Sequence, residues 1–205
     1  MSETQTKQNE ETSDSPFIER FHIESIEMLS LTILFGLIGS ILVFLLTLIP
    51  FPYQTISLFK LGFVFSLALI AVIGSIRGPI AGFLSGYLGL ILNDFFIAGT
   101  IVGLTLPAAS YGVLGFIVGL GVYDFEKGKS LAKLSIMSAI GLVFTLLLIL
   151  LLALSLQSYS LLAAIGFVIL PIVTTGFPSV ILLPPILARL WLLFMNRFLP
   201  DFAPD

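Results

Sequence analysis

Long apolar runs broken by brief polar punctuation run through this chain, and their lengths predict what each becomes. A helix of about 20 apolar residues crosses the ~30 Å hydrocarbon layer of a bilayer. Residues 28–49, stopped by Pro50-Phe51-Pro52, predict a first crossing, and residues 57–76 a second. Arg77-Gly78-Pro79 leaves room only for a tight turn, after which residues 80–97 return and close on Asn93 and Asp94. A fourth run, 101–123, carries Pro107 as a tolerated kink near its start. The charged loop 124–130 leads to a fifth run at 131–156. After Gln157 to Ser160 the pattern weakens. The stretch 161–175 would reach only about 22 Å as a helix, and Gly176-Phe177-Pro178 follows it as an expected break. It is expected to be a bent or partly re-entrant outer segment, with 179–195 making the sixth crossing.

The pattern predicts an all-α polytopic membrane protein with six transmembrane helices. Basic residues orient it, because cytoplasmic loops collect Lys and Arg. Lys7, Arg20, Arg77, Lys127, Lys129, Lys133, Arg189 and Arg197 share one side if there are six crossings, and a seventh would strand the last two outside. Both termini are therefore expected in the cytoplasm. Residues 1–15 predict a disordered acidic tail, 16–27 an amphipathic helix lying on the surface, 28–197 the membrane domain and 198–205 a cytoplasmic tail. The first apolar run is too long for a secretory signal. A multi-pass protein of the cell membrane is the expected localisation.

Composition removes whole classes of function. With 58% hydrophobic and 10% charged residues, no water-soluble core of 205 residues could hide the apolar surface. Zero cysteines and one histidine, His22, exclude thiolate or imidazole metal clusters and a cysteine nucleophile. A net charge of −3 makes nucleic acid an unsuitable partner. Glu126-Lys127-Gly128-Lys129-Ser130 ends like a phosphate loop, but Tyr123 stands where that motif needs Gly and no strand precedes it. No serine, histidine and carboxylate share a depth, so no enzyme and no bound cofactor are expected.

Two charges escape the cytoplasmic side: Lys60 and Asp94. In a membrane protein each must be paired or solvated. Lys60 alone is explained by snorkelling to the headgroups, and Asp94 by capping a helix or by a merely structural pairing with Lys60. Together they predict an outward-facing binding site, with Asn93, Tyr53, Gln54, Thr100, Tyr111, Gln157 and Tyr159 as polar or stacking neighbours. Small residues recur four apart at Gly78, Gly82 and Gly86, at Gly115 and Gly119, and at Gly36 and Ser40. Such faces let helices approach closely. The first two read as packing within the chain; the stripe of Gly36 and Ser40 reads either as packing or as a docking groove for another protein's helix.

Four of these features resemble the substrate-binding S component of energy-coupling factor (ECF) transporters. They are the small-residue stripe Gly36 and Ser40, the outer loop with Pro50 and Pro52, the run from Gly78-Pro79 through Gly82, Gly86 and Gly89 to Asn93-Asp94, and the proline-rich final helix entered at Phe177-Pro178. The resemblance implies a six-helix protein that captures a scarce solute outside and docks on a transmembrane T component driven by two cytoplasmic ATPases. Family members often carry alanines four apart where this chain has Gly36 and Ser40. One lysine facing one aspartate suits a neutral or zwitterionic aromatic solute of riboflavin or thiamine type. The competing expectation is a non-transporting scaffold similar to small rod-shape-determining membrane proteins, which would need no cavity.

Overall fold

The computed structural model describes residues 21, 25–49, 54–56, 59–61, 63–99, 105–155 and 160–198. The expected tail 1–15, all but a few residues of the expected surface helix 16–27, and residues 199–205 lie outside that set. Helix α1 (Ile26–Leu48) begins at Ser25, whose hydroxyl accepts the Met28 N–H at 3.1 Å, with Glu27 in the first turn. That cap satisfies an otherwise orphaned donor, and the acid suits the positive end of the helix. Residues 26 and 27 therefore belong to the first crossing helix.

The expected second span does not start as a helix where it is described: residues 59–61 are a strand, with β1 (Gln54–Ile56) and β2 (Phe59–Leu61) paired antiparallel and Thr55 opposite Lys60. Threonine, isoleucine and phenylalanine favour the extended backbone, and cross-strand pairing satisfies N–H and C=O groups that an apolar environment would leave costly. Helix α2 (Phe65–Arg77) starts only after this hairpin, and its 13 residues reach about 20 Å. Nine of them are buried, from Ser66 to Ser75, making α2 the centre of the bundle.

Gly78, at φ 90°, is both the end of α2 and the start of α3 (Pro79–Ala98), a backbone region open to glycine alone at low cost. Helix α4 (Thr105–Gly119) holds Pro107 in its first turn, where no intrahelical donor is lost. Helix α5 (Gly128–Ser155) absorbs the end of the expected charged loop. Four of the helices, α1, α3, α5 and α6 (Leu161–Phe198), are long and apolar enough to cross a membrane.

The expected break at Gly176-Phe177-Pro178 does not occur. Helix α6 runs 38 residues without interruption, about 57 Å, and the segment expected to re-enter is its first part, opened into a π turn at Ala164–Ile169. Pro171 follows that turn, and the wider spiral removes the clash of its ring with the preceding carbonyls. Further along, hydroxyls stand beside the proline-loosened backbone: Thr175 donates to the Pro171 carbonyl at 2.7 Å and Ser179 to the Thr175 carbonyl at 2.6 Å. Both are bonds from a hydroxyl to the carbonyl one turn earlier in the same helix.

Packing is inverted relative to a soluble bundle. Helix α1 buries Thr32, Gly36, Gly39, Ser40 and Val43 and exposes Leu34, Ile38, Ile41 and Leu45. Small residues inside allow backbone contact, while large aliphatics outside meet lipid. Between α3 and α4 the approach is closest: a Cβ on Gly82 would collide with the Gly115 carbonyl, and one on Gly86 would lie 2.6 Å from the Tyr111 oxygen. The glycine spacing read from the sequence is thus used between α3 and α4. Several buried hydroxyls turn to backbone oxygens, as Thr145 does to Ser110 of α4 at 2.9 Å, whereas the buried Ser138 hydroxyl has no partner among the described residues.

Candidate functional site

One end of the bundle gathers basic side chains. Arg77 and Lys127 border the same cavity, Arg189 donates to the Phe125 carbonyl at 3.0 Å, and Lys133 to the Val122 carbonyl at 3.2 Å. The opposite end carries the hairpin, the C-terminal ends of α1 and α3, and the first turns of α2, α4 and α6. There the helices diverge around a cavity of about 290 Å³, lined by Thr47, Val64, Ser66, Leu67, Leu90, Tyr111, Pro171, Ile172 and Thr175. Five helices contribute to it. Mostly apolar walls with a few hydroxyls are the usual make-up of a small-molecule site.

The polar edge of this cavity is organised by Thr47. Its hydroxyl stands 2.8 Å from the Asn93 side-chain oxygen and 2.6 Å from the Phe44 carbonyl, so its single proton serves one acceptor at a time. Asn93 in turn donates to the Asp94 carboxylate across a long 3.4 Å. Asp94 is near enough to act electrostatically on Tyr111, which lines the cavity. Residues 47, 93 and 94 thus form a hydrogen-bonded chain joining α1 and α3, with Tyr111 of α4 on the cavity wall. Asn93 and Asp94 stand behind the wall rather than on it.

On the α6 side, Ser179 fixes the entry to α2. Its hydroxyl donates to the Thr175 carbonyl and accepts the Val64 N–H at 2.6 Å, filling both roles. The two residues it joins, Thr175 and Val64, both line the cavity. The chain before α2 is therefore anchored where the site needs a fixed wall.

Of the expected site residues, the structure pairs Asn93 with Asp94 and puts Tyr111 on the cavity wall. Gln54 and Lys60 lie on β1 and β2, opposite Leu61 and Thr55, and their side chains are outside the described set. Tyr53, Thr100, Gln157 and Tyr159 are also outside it. Lys60 sits on a strand, not four residues into a helix. Thr47, Ser66 and Thr175 were not expected; each is a hydroxyl in a largely apolar run, indistinguishable by sequence from those that merely bond their own helix.

Gly36 and Ser40 are buried against α3. A Cβ on Gly36 would lie 3.0 Å from Leu84 Cβ and 3.3 Å from Ala81 Cα, and Ser40 is 2% exposed. The stripe is occupied within the chain, because glycine lets the α3 backbone come where a partner's helix would have to sit.

Among the described residues no cluster of metal-ligating side chains occurs. In comparisons with known proteins, no family, no curated protein and no solved structure matches this chain.

Proposed function

We propose that this protein captures a small, vitamin-like solute at one membrane face, in the manner of the ECF substrate-binding component it resembles. The 290 Å³ cavity at the end opposite the basic cluster carries this reading. It is sized for a small organic molecule, apolar on most sides, and carries Tyr111 and Thr47 on its wall, the latter hydrogen-bonded to Asn93, which bonds Asp94. A ring would pack against Tyr111, Leu67 and Ile172, while hydroxyls of Thr47, Ser66 and Thr175 fix its orientation.

In this proposal the chain crosses the cell membrane six times, with the basic end and both termini in the cytoplasm. The short α2 completes its crossing through the hairpin that precedes it. Uptake would use a transmembrane T component and two ATPases, since the chain has no nucleotide loop of its own. Release follows when those partners favour a state that binds the solute less well. A pure scaffold needs no cavity, so the cavity weighs against that alternative.

The direct test is to denature the purified protein and identify released small molecules by mass spectrometry, then titrate riboflavin and thiamine into emptied protein by calorimetry. A retained aromatic solute that rebinds without ATP is expected. An empty protein that gives no heat with either probe would remove the capture reading.

A further inference from the structure

A larger cavity, about 820 Å³, opens at the basic end between α1, the α2–α3 turn, the 123–127 segment and the last turns of α6. Its rim carries two cations, Arg77 and Lys127, and two anions, Asp124 and Glu126; its wall is apolar, with Leu31, Phe35, Trp191 and Met195. Lys127 and Asp124 satisfy each other at 2.7 Å. Arg77 has no carboxylate partner among the described residues: its guanidinium reaches only the Met28 sulfur, a weak acceptor, at 3.7 Å. Glu126 likewise has no cationic side chain in salt-bridge contact among the described residues.

We infer that this cavity holds a zwitterionic phospholipid with a primary-amine headgroup, a phosphatidylethanolamine. Arg77 takes the phosphate, because a guanidinium offers two parallel N–H donors that match two phosphate oxygens. Glu126 takes the ammonium, which a quaternary headgroup could not reproduce, having no N–H to donate. One cation and one anion left over disfavour a net-anionic headgroup. The source is a lipid rather than a soluble phosphate ester because the wall is apolar and continuous with the membrane-facing side: Leu31 is 52% exposed and shares the outer face of α1 with Leu34 and Ile38. An acyl chain can enter along that face beside Phe35 and Trp191. The inference depends on the chain being a membrane protein, and not on what the opposite cavity binds.

Native mass spectrometry of the full chain, released from micelles containing equal amounts of dioleoyl phosphatidylethanolamine, phosphatidylglycerol and phosphatidylcholine, tests this. The ethanolamine lipid is expected to be retained over the other two by about fivefold or more, Arg77→Gln to cut that retention about tenfold, and Arg77→Lys to restore only part of it. Glu126→Gln, at an exposed loop position that folding does not depend on, is expected to erase the preference over phosphatidylcholine. Equal retention of phosphatidylglycerol, unchanged retention in Arg77→Gln, or an unaltered preference in Glu126→Gln overturns the assignment. Displacement by soluble glycerophosphoethanolamine at concentrations matching the lipid would show that the headgroup alone binds and overturn the acyl component.

Discussion

The Ser135 hydroxyl of α5 donates to the Ile181 carbonyl of α6 at 2.7 Å, and Ile181 is the residue four before Pro185. Pro185 has no N–H, so that carbonyl lacks its helical donor. A serine on the neighbouring helix supplies one. The contact ties α5 to α6 and supplies a donor at the Pro185 gap in a helix that also holds Pro178 and Pro184.

The pair should behave as a coupled unit. Ser135→Ala is expected to destabilise the protein by about 1 kcal/mol, read as a lowered melting temperature in detergent. In a Pro185→Ala background, where the helix provides its own donor, the same change should cost almost nothing. Equal costs in both backgrounds would separate the two residues.

Thr47→Val keeps the shape of the side chain and removes the hydroxyl that meets Asn93. Once the solute is identified, calorimetry should show weakening by more than about tenfold in Thr47→Val, Asn93→Ala and Asp94→Ala, roughly 1.4 kcal/mol each. Melting temperatures should move little in the Asp94 variant, whose side chain is only partly buried. Unchanged affinity in all three would place the solute elsewhere.

Glycines should divide sharply by position. Gly82→Ala drives a methyl into the Gly115 carbonyl, and Gly36→Leu forces a branched side chain against Ala81 and Leu84. Overpacking of this kind costs about 1–3 kcal/mol, and more where backbone must move. Gly128→Ala meets open space and should leave stability unchanged or slightly raised. Thermal denaturation of the three variants reads the contrast directly. A Gly36→Leu protein as stable as the parent would mean that the α1–α3 contact is looser than described.

Asp124 is held below the usual carboxylate range, first by its hydrogen bond with Lys127 and then by the Glu126 N–H, and Lys127 is held above the usual lysine range by Asp124. A depressed carboxylate contributes stability above its unfolded value and loses it as pH falls through the folded one. A raised ammonium contributes below its unfolded value and loses it as pH rises through the folded one. The pair should therefore be intact from about pH 5 to about pH 9 and fail only in stronger acid or alkali. Both groups are solvent-accessible, so the effect is small and screened by salt. The melting-temperature difference between the parent and Asp124→Asn should stay constant across the neutral range; a gap that changes between pH 6 and 8 would implicate another group.

The order of apolar runs and punctuation determined the helical membrane class, the tight turn at Gly78-Pro79 and the glycine face between α3 and α4, because each depends on run length or on the absence of a Cβ at fixed spacing. Four matters were decided only in three dimensions. Residues 59–61 became a strand because a partner at 54–56 was within reach, which no local apolar pattern reports. At Pro185, helix α6 gains a donor from Ser135 of another helix for a carbonyl that sequence reading leaves unpaired. Gly36 and Ser40 face α3 because a small residue accepts whichever backbone arrives first, and sequence cannot say whose. The cavity likewise exists only where five helices diverge, so Thr47, Ser66 and Thr175 gain a role from neighbours contributed by distant parts of the chain.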